Sequence, residues 1–130
     1  MENVKLNKLT KKYQQDSDEG QQPLSSSDLN RQMLDGEAII HRVARYGDVS
    51  ELKLLIEYGA NLELKGDLGY TPLLEAISAG KVENVLYLIS VGADINAKTV
   101  YDDSVIDLAD RTNSKLHDLL VKIKNDTDQK

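Results

Sequence analysis

The 130-residue chain contains no cysteine, no tryptophan and no phenylalanine. The missing cysteines exclude disulfides and thiolate metal sites. Aromatics amount to 5% of the chain and all are tyrosine, so any core must be aliphatic. Leu, Ile, Val and Ala suit closely packed helices better than a deep ligand cavity, whose walls are usually aromatic. Long apolar runs are absent too. Near the N-terminus Val4, Leu6 and Leu9 are interrupted by Lys5, Asn7 and Lys8, which fits neither a secretory signal nor a membrane span. A reducing, cytoplasmic setting is the expectation.

What the chain has is charge, unevenly placed. The formal net charge is −6. Within residues 1–32, Lys5, Lys8, Lys11, Lys12 and Arg31 cancel Glu2, Asp16, Asp18, Glu19 and Asp28, so the whole excess lies beyond residue 32. An acidic folded part repels phosphate backbones and argues against nucleic acid as a direct target. It attracts a basic protein partner and speeds the encounter.

The chain matches itself at an offset of 33 residues. Gly47 pairs with Gly80, Gly59 with Gly92, Ala60 with Ala93, Lys65 with Lys98, Leu52 with Val85, and Leu55 with Leu88. Thr71–Ala76 falls on Ser104–Ala109 at the same offset, which gives a third, degenerate copy. Beyond it the spacing of aliphatics becomes 34, with Val82, Val85, Leu86 and Ile89 on Leu116, Leu119, Leu120 and Ile123. This places one extra residue in the turn over 112–115. Each copy reads as two helices. Thr71 is an N-cap and Pro72 a first helical residue, a position where proline forfeits no hydrogen bond. Leu73 to Ile77 form a short helix ending near Gly80, and Val82 to Ile89 carry apolar residues at spacings of three and four.

The segments Gly69-Tyr70-Thr71-Pro72-Leu73-Leu74-Glu75-Ala76 and Val91-Gly92-Ala93-Asp94-Ile95-Asn96-Ala97-Lys98 resemble the consensus of the ankyrin-repeat family. The resemblance covers roughly residues 34–124. Unit one keeps the consensus histidine as His41 but has Ala38-Ile39 in place of Thr-Pro; unit two has Leu74 at the histidine position, and unit three Asp107. The implied fold is an all-α repeat, an ankyrin solenoid of paired antiparallel helices with β-hairpin or loop connections. The organisation is then an N-terminal extension over 1–32, a repeat domain over 33–126 (units of about 33–65, 66–98 and 99–124) and a tail over 127–130. Lys115, Asp118, Lys122 and Lys124 give the last helix the polar outer face of a terminal cap. The polar composition of 14–27 reads as a flexible tail. Alternatively, Val4–Tyr13 docks on the stack, and Ser27-Asp28 caps a short helix through Leu29, Met33 and Leu34.

Catalytic chemistry has no candidate. The resemblance implies a structural role for His41, bonding the backbone at a hairpin, and His117 falls on the polar side of the cap helix. There is no phosphate-loop pattern, no spaced metal-ligand set, and no acid pair: Glu75 and Glu83 read as single surface carboxylates. Asn125-Asp126-Thr127 matches a glycosylation sequon without a secretory context. The expectation is a protein that is not an enzyme and takes no cofactor, metal or small-molecule substrate.

The family's usable surface is the concave face made by hairpin tips and first helices. By register this face carries Glu37, Arg42, Arg45 and Tyr46 in unit one. Unit two adds Asp67, Leu68, Tyr70, Glu75 and Ser78; unit three adds Val100, Tyr101, Asp103, Leu108 and Arg111. Tyr46, Tyr70 and Tyr101 are the expected anchors, since tyrosine offers a large rigid contact with a polar tip. Leu68, Val100 and Leu108 are expected to add apolar area. Asp67, Glu75 and Asp103 would meet a basic partner. The chain then reads as a monomeric protein-binding module. Its size and charge resemble the stand-alone ankyrin immunity proteins that neutralise toxins; an adaptor tethering two proteins is the alternative.

Overall fold

The computed structural model describes residues 4–14 and 29–128. Among the described residues seven α-helices follow in chain order, with a single 3-10 turn over Asp67–Gly69: α1 (Val4–Tyr13), α2 (Ile39–Tyr46), α3 (Val49–Glu57), α4 (Pro72–Ser78), α5 (Val82–Ser90), α6 (Val105–Thr112) and α7 (Ser114–Asp128). No strand is present among the described residues. The tip in front of each first helix is a turn closed across its base by a backbone bond, Met33 N–H to Glu37 O at 2.8 Å, Gly66 N–H to Tyr70 O at 2.8 Å and Thr99 N–H to Asp103 O at 3.1 Å.

The first helices α2, α4 and α6 pack side by side, and α3, α5 and α7 each pack against the first helix of their own unit. Burial follows the repeat. Ile39, Ile40, Val43 and Ala44 of α2 and Leu73, Leu74, Ala76 and Ile77 of α4 are sealed from solvent. In α3 and α5 the matched pairs Leu52/Val85 and Leu55/Leu88 are all at 0% exposure. Thr71 Oγ1 accepts the Leu74 N–H at 3.3 Å ahead of Pro72, the N-cap its sequence implies. Gly80 takes φ +70°, which lets its N–H reach Ile77 O while the Lys81 N–H reaches Ala76 O.

The last unit departs from the expected register. The connection between α6 and α7 is Asn113 alone, whereas α4 and α5 are joined by Ala79, Gly80 and Lys81. Instead of gaining a residue, the turn is shorter, because no glycine is available to make the left-handed bend. Asn113 stays extended, and its Oδ1 accepts the Leu116 N–H at 3.1 Å. The altered entry rotates α7 so that Leu116 and Leu120 are buried and Leu119 and Ile123 only half-buried. Helix α7 also runs to Asp128, into the expected tail.

The other end of the stack is covered by α1. Leu6 and Leu9 are buried against α2 and α3, Lys12 pairs with Glu51 at 2.9 Å, and Tyr13 donates to Glu51 Oε1 at 2.8 Å. The segment Val4–Tyr13 thus lies as a helix against the stack. The polar stretch after Gln14, with the Ser27-Asp28 cap, lies outside the described residues. Leu29 and Met33 are buried over unit one, but they sit in turns rather than on a helix, and Leu34 is exposed. The Met33 backbone is committed at both polar groups, to Glu37 O and to the Gly36 N–H, which closes a turn incompatible with a continuing helix.

Candidate protein-binding face

The helix-start residues of α2 and α4 and the two tips in front of them enclose a hollow of about 350 Å³. Its lining contains Glu37, Arg42, Arg45, Tyr46, Asp67, Leu68, Tyr70, Glu75 and Ser78, together with Asp35 and His41. Nine of the fourteen residues placed on the concave face by register therefore converge on one site. The other five belong to unit three. Val100 and Tyr101 are strongly exposed at the tip, Asp103 is ion-paired with Arg111, and Leu108 is buried at 5% exposure. Leu108 thus adds to the core, not to the surface. Its side chain closes the inner face of α6, where an outward-facing leucine was expected.

Each wall of the hollow has a local cause. His41 lies in the first turn of α2, where Ala38 offers no side-chain cap, and its Nδ1 accepts the Ala38 N–H at 3.0 Å. The proton is thereby fixed on Nε2, which donates to Leu64 O at 2.7 Å. Burial lowers the His41 pKa below its ordinary value, so the ring is a neutral strut and its 3.5 Å approach to Glu37 is no ion pair. Arg42 is also buried: it donates to the Tyr13 carbonyl at 2.8 Å and pairs with Asp35 at 2.9 Å. It ties α1 and the first tip to α2 from beneath the hollow. Arg45 is more open; it pairs with Glu75 at 3.1 Å and lies 5.8 Å from the Tyr46 ring centroid.

Four carboxylates, those of Asp35, Glu37, Asp67 and Glu75, face two guanidiniums, so the hollow carries a negative excess. Glu75 is not the solitary surface carboxylate its sequence implies. It is 5% exposed, and its pKa is raised, first by burial and then by the charge of Glu37. The Glu37 pKa is raised as well, by burial and by the nearby Asp35 and Asp67 charges. The pairing arises because the tip in front of α2 folds over the first turn of α4. Gly66 makes the space: a β-carbon there would collide with the Glu37 carboxylate and crowd the His41 ring.

At the outer edge Tyr46 is 67% exposed and Leu68, at φ +57°, is 44% exposed, while Tyr70 is half-buried against the core. The second and third tips are joined through the Val100 N–H, which donates to Leu68 O at 2.9 Å. Two supporting residues escaped the sequence reading. Thr99 is buried, and its hydroxyl accepts from the Tyr101 and Asp103 N–H groups at 3.2 and 3.3 Å, holding Tyr101 outward. Asn84 is buried in the seam between units one and two and donates to Ala44 O at 3.1 Å and Gly47 O at 3.0 Å. The signal for it was its place in α5, one residue before the buried Val85 and four before the buried Leu88, on the inward side of the helix.

Paired helices in register, glycine-closed turns and a histidine-tied tip are the marks of a single repeat architecture. A family profile described as Ankyrin repeats (3 copies) matches residues 6–99. The chain belongs to the ankyrin-repeat family. Among relatives, it is 37% identical over 84 residues to the human Protein phosphatase 1 regulatory subunit 27, covering 65% of this chain and 54% of that protein. Against Protein PhlB of Serratia liquefaciens it is 32% identical over 83 residues, covering 63% of this chain and 37% of the relative. Against the Ankyrin repeat and KH domain-containing protein mask-1 of Caenorhabditis elegans, identity is 44% over 54 residues, or 42% of this chain and 2% of that protein. The chain spans about half the length of the phosphatase regulatory subunits it matches, 54% of the human and 49% of the mouse protein. Ankyrin repeats are protein-interaction modules, and this stack is built as one. Among the described residues, no helix is long and apolar enough to cross a membrane.

Proposed function

We propose that this ankyrin stack acts by binding, and thereby inhibiting, a basic protein, with the concave hollow and the tips around it as the contact surface. The observation that carries this reading is the hollow's excess of carboxylates, two of them held at raised pKa by burial, directly beside exposed Tyr46 and Leu68. A cation delivered into that site relieves the Glu37–Glu75 repulsion while the tyrosines supply contact area. Asp67, exposed at the rim, meets the partner first, and the Glu75 and Asp103 carboxylates, already paired with Arg45 and Arg111, accept its cations as second partners. Tyr46, Tyr70 and Tyr101 are the anchors. The specific form we favour is an immunity protein that neutralises a cognate toxin. The printed description of two relatives as regulatory subunits of a phosphatase fits the broader mode, a small repeat chain acting through the protein it binds.

The test is affinity capture by the wild-type chain, by Tyr46→Ala/Tyr101→Ala, and by Asp67→Lys. The expected result is a basic protein retained by wild type, depleted in both variants, and losing its own activity when titrated with the purified chain. Retention that is equal in all three samples removes the concave face from consideration. A retained partner whose activity is unchanged leaves binding in place and rejects inhibition, in favour of an adaptor.

A further inference from the structure

A second recess lies away from the concave face, between α1 and α3, with a volume of about 470 Å³. Helix α1 contributes Lys5, Lys8, Leu9 and Lys12, spaced as one stripe of a helix; α3 contributes Lys53 and Leu54 on the facing stripe. Leu9 and Leu54 form an apolar floor, extended by the methylene stems of the lysines, while the ammonium groups stand at the rim. Lys12 is engaged by Glu51. Lys5, Lys8 and Lys53 are exposed and make no ion pair with any described residue. Across the recess the acidic groups are Glu51, already holding Lys12 and Tyr13, and the exposed Glu57. The site is therefore the electrostatic opposite of the concave hollow on the same small stack.

We propose that this recess is a docking groove for an acidic amphipathic helix of a partner protein, distinct from the partner of the concave face. Both walls are helices, and no strand edge is present among the described residues, so an incoming segment finds no backbone to extend by pairing. An apolar stripe laid into the groove covers Leu9 and Leu54, and carboxylates along its flanks reach Lys5, Lys8 and Lys53. The wall formed by α1 is about 15 Å long at 1.5 Å per residue, which corresponds to about three helical turns of the partner. A lipid surface fits less well, because Leu6 is buried in the core and the apolar floor is recessed between lysine stems, below the reach of a flat surface. A nucleic acid would use the lysines but not the apolar floor, and among the described residues no aromatic side chain lines the recess for a base to stack on.

The test uses the full chain and a fluorescein-labelled synthetic peptide of about twelve residues, with leucine at i, i+3, i+4 and i+7 and glutamate on both flanks. The expected result is saturable binding by anisotropy, with amide shift changes in α1 and α3 and none around Tyr46. The variant Lys5→Glu/Lys8→Glu/Lys53→Glu weakens binding by roughly tenfold or more. An unchanged far-UV melting curve shows that this variant is folded. No binding to the wild-type chain overturns the proposal, as do equal affinity for wild type and variant or shifts confined to the concave face. Preferential binding of phosphatidylserine vesicles or of a single-stranded RNA oligomer overturns it in favour of those ligands. A gain of peptide affinity in Asp16→Asn/Asp18→Asn/Glu19→Gln assigns the groove to the chain's own acidic stretch and overturns it equally.

Discussion

Units one and two have the same length and bury equivalent residues, yet they solve one problem by different chemistry. At the start of its first helix each unit must satisfy a free backbone N–H and hold the tip that follows. Unit two divides the work: Thr71 caps α4 with its hydroxyl, and Leu74, at the histidine position, only packs. Unit one has alanine at the cap, so the His41 N–H falls back on Ala38 O, while the His41 ring takes the Ala38 N–H on one nitrogen and reaches Leu64 O with the other. The two units thus use side chains on different backbone groups at the same place in the repeat. In unit one the result is a buried imidazole, a titratable group in the core.

The comparison breaks most visibly where the units should be alike. Leu55→Ala and Leu88→Ala remove equivalent, fully buried side chains, and each should cost about 2–5 kcal/mol in urea-induced unfolding. Both variants should keep a single transition; a biphasic curve in one of them would show that the units melt separately. Next comes His41→Leu, which imposes the unit-two solution on unit one without its threonine. It leaves the Ala38 N–H and the Leu64 carbonyl unpaired, a loss of about 1–3 kcal/mol. The same variant tests the titration. With the His41 pKa lowered in the folded state, the unfolded chain binds more protons, so this residue's stability contribution is present above pH 6.5 and lost as pH falls through the folded value. The acid-side loss should therefore be shallower in His41→Leu than in wild type.

Thr71→Ala and Asp48→Ala each delete an N-cap and should cost about 1 kcal/mol, with the Asp48 effect shrinking in acid because the Ser50 hydroxyl, and then the capped Glu51 N–H, lower the pKa of that carboxyl. The smallest effect is spectroscopic. The Tyr13 phenol is pushed up to about 12 by burial and by Glu51, so an absorbance titration should show one late phenolate step that Tyr13→Phe removes.

Much of this arrangement was legible in the sequence, for reasons that particular residues make plain. The 33-residue offset placed Leu52, Leu55, Val85 and Leu88 because helical period and repeat length together fix which side of each helix faces inward. It brought nine surface residues to one hollow for the same reason. It could not report how far a long side chain lies down: Arg42 was placed on the face by register, but it turns under it to reach Asp35 in the first tip and the Tyr13 carbonyl of α1. Nor could it anticipate the Glu37–Glu75 pair, whose members belong to different units, or that the Glu37 carboxylate lies where a β-carbon on Gly66 would stand. Helix α1 lies before the first repeat, where Leu6 and Leu9 alone were too short a pattern to separate a docked helix from a polar tail.

Asn84 gives the hollow a property that its lining alone would not. One carboxamide grips two carbonyls of unit one from inside unit two, out of reach of water, so the banks of the cleft are clamped at a fixed separation. Whatever enters between Glu37 and Glu75 meets a mould already set rather than two surfaces that must first be drawn together, and little freedom of the stack is left to be lost on contact. A guest of the wrong width is turned away by the rigidity of the seam as much as by the charge of the walls.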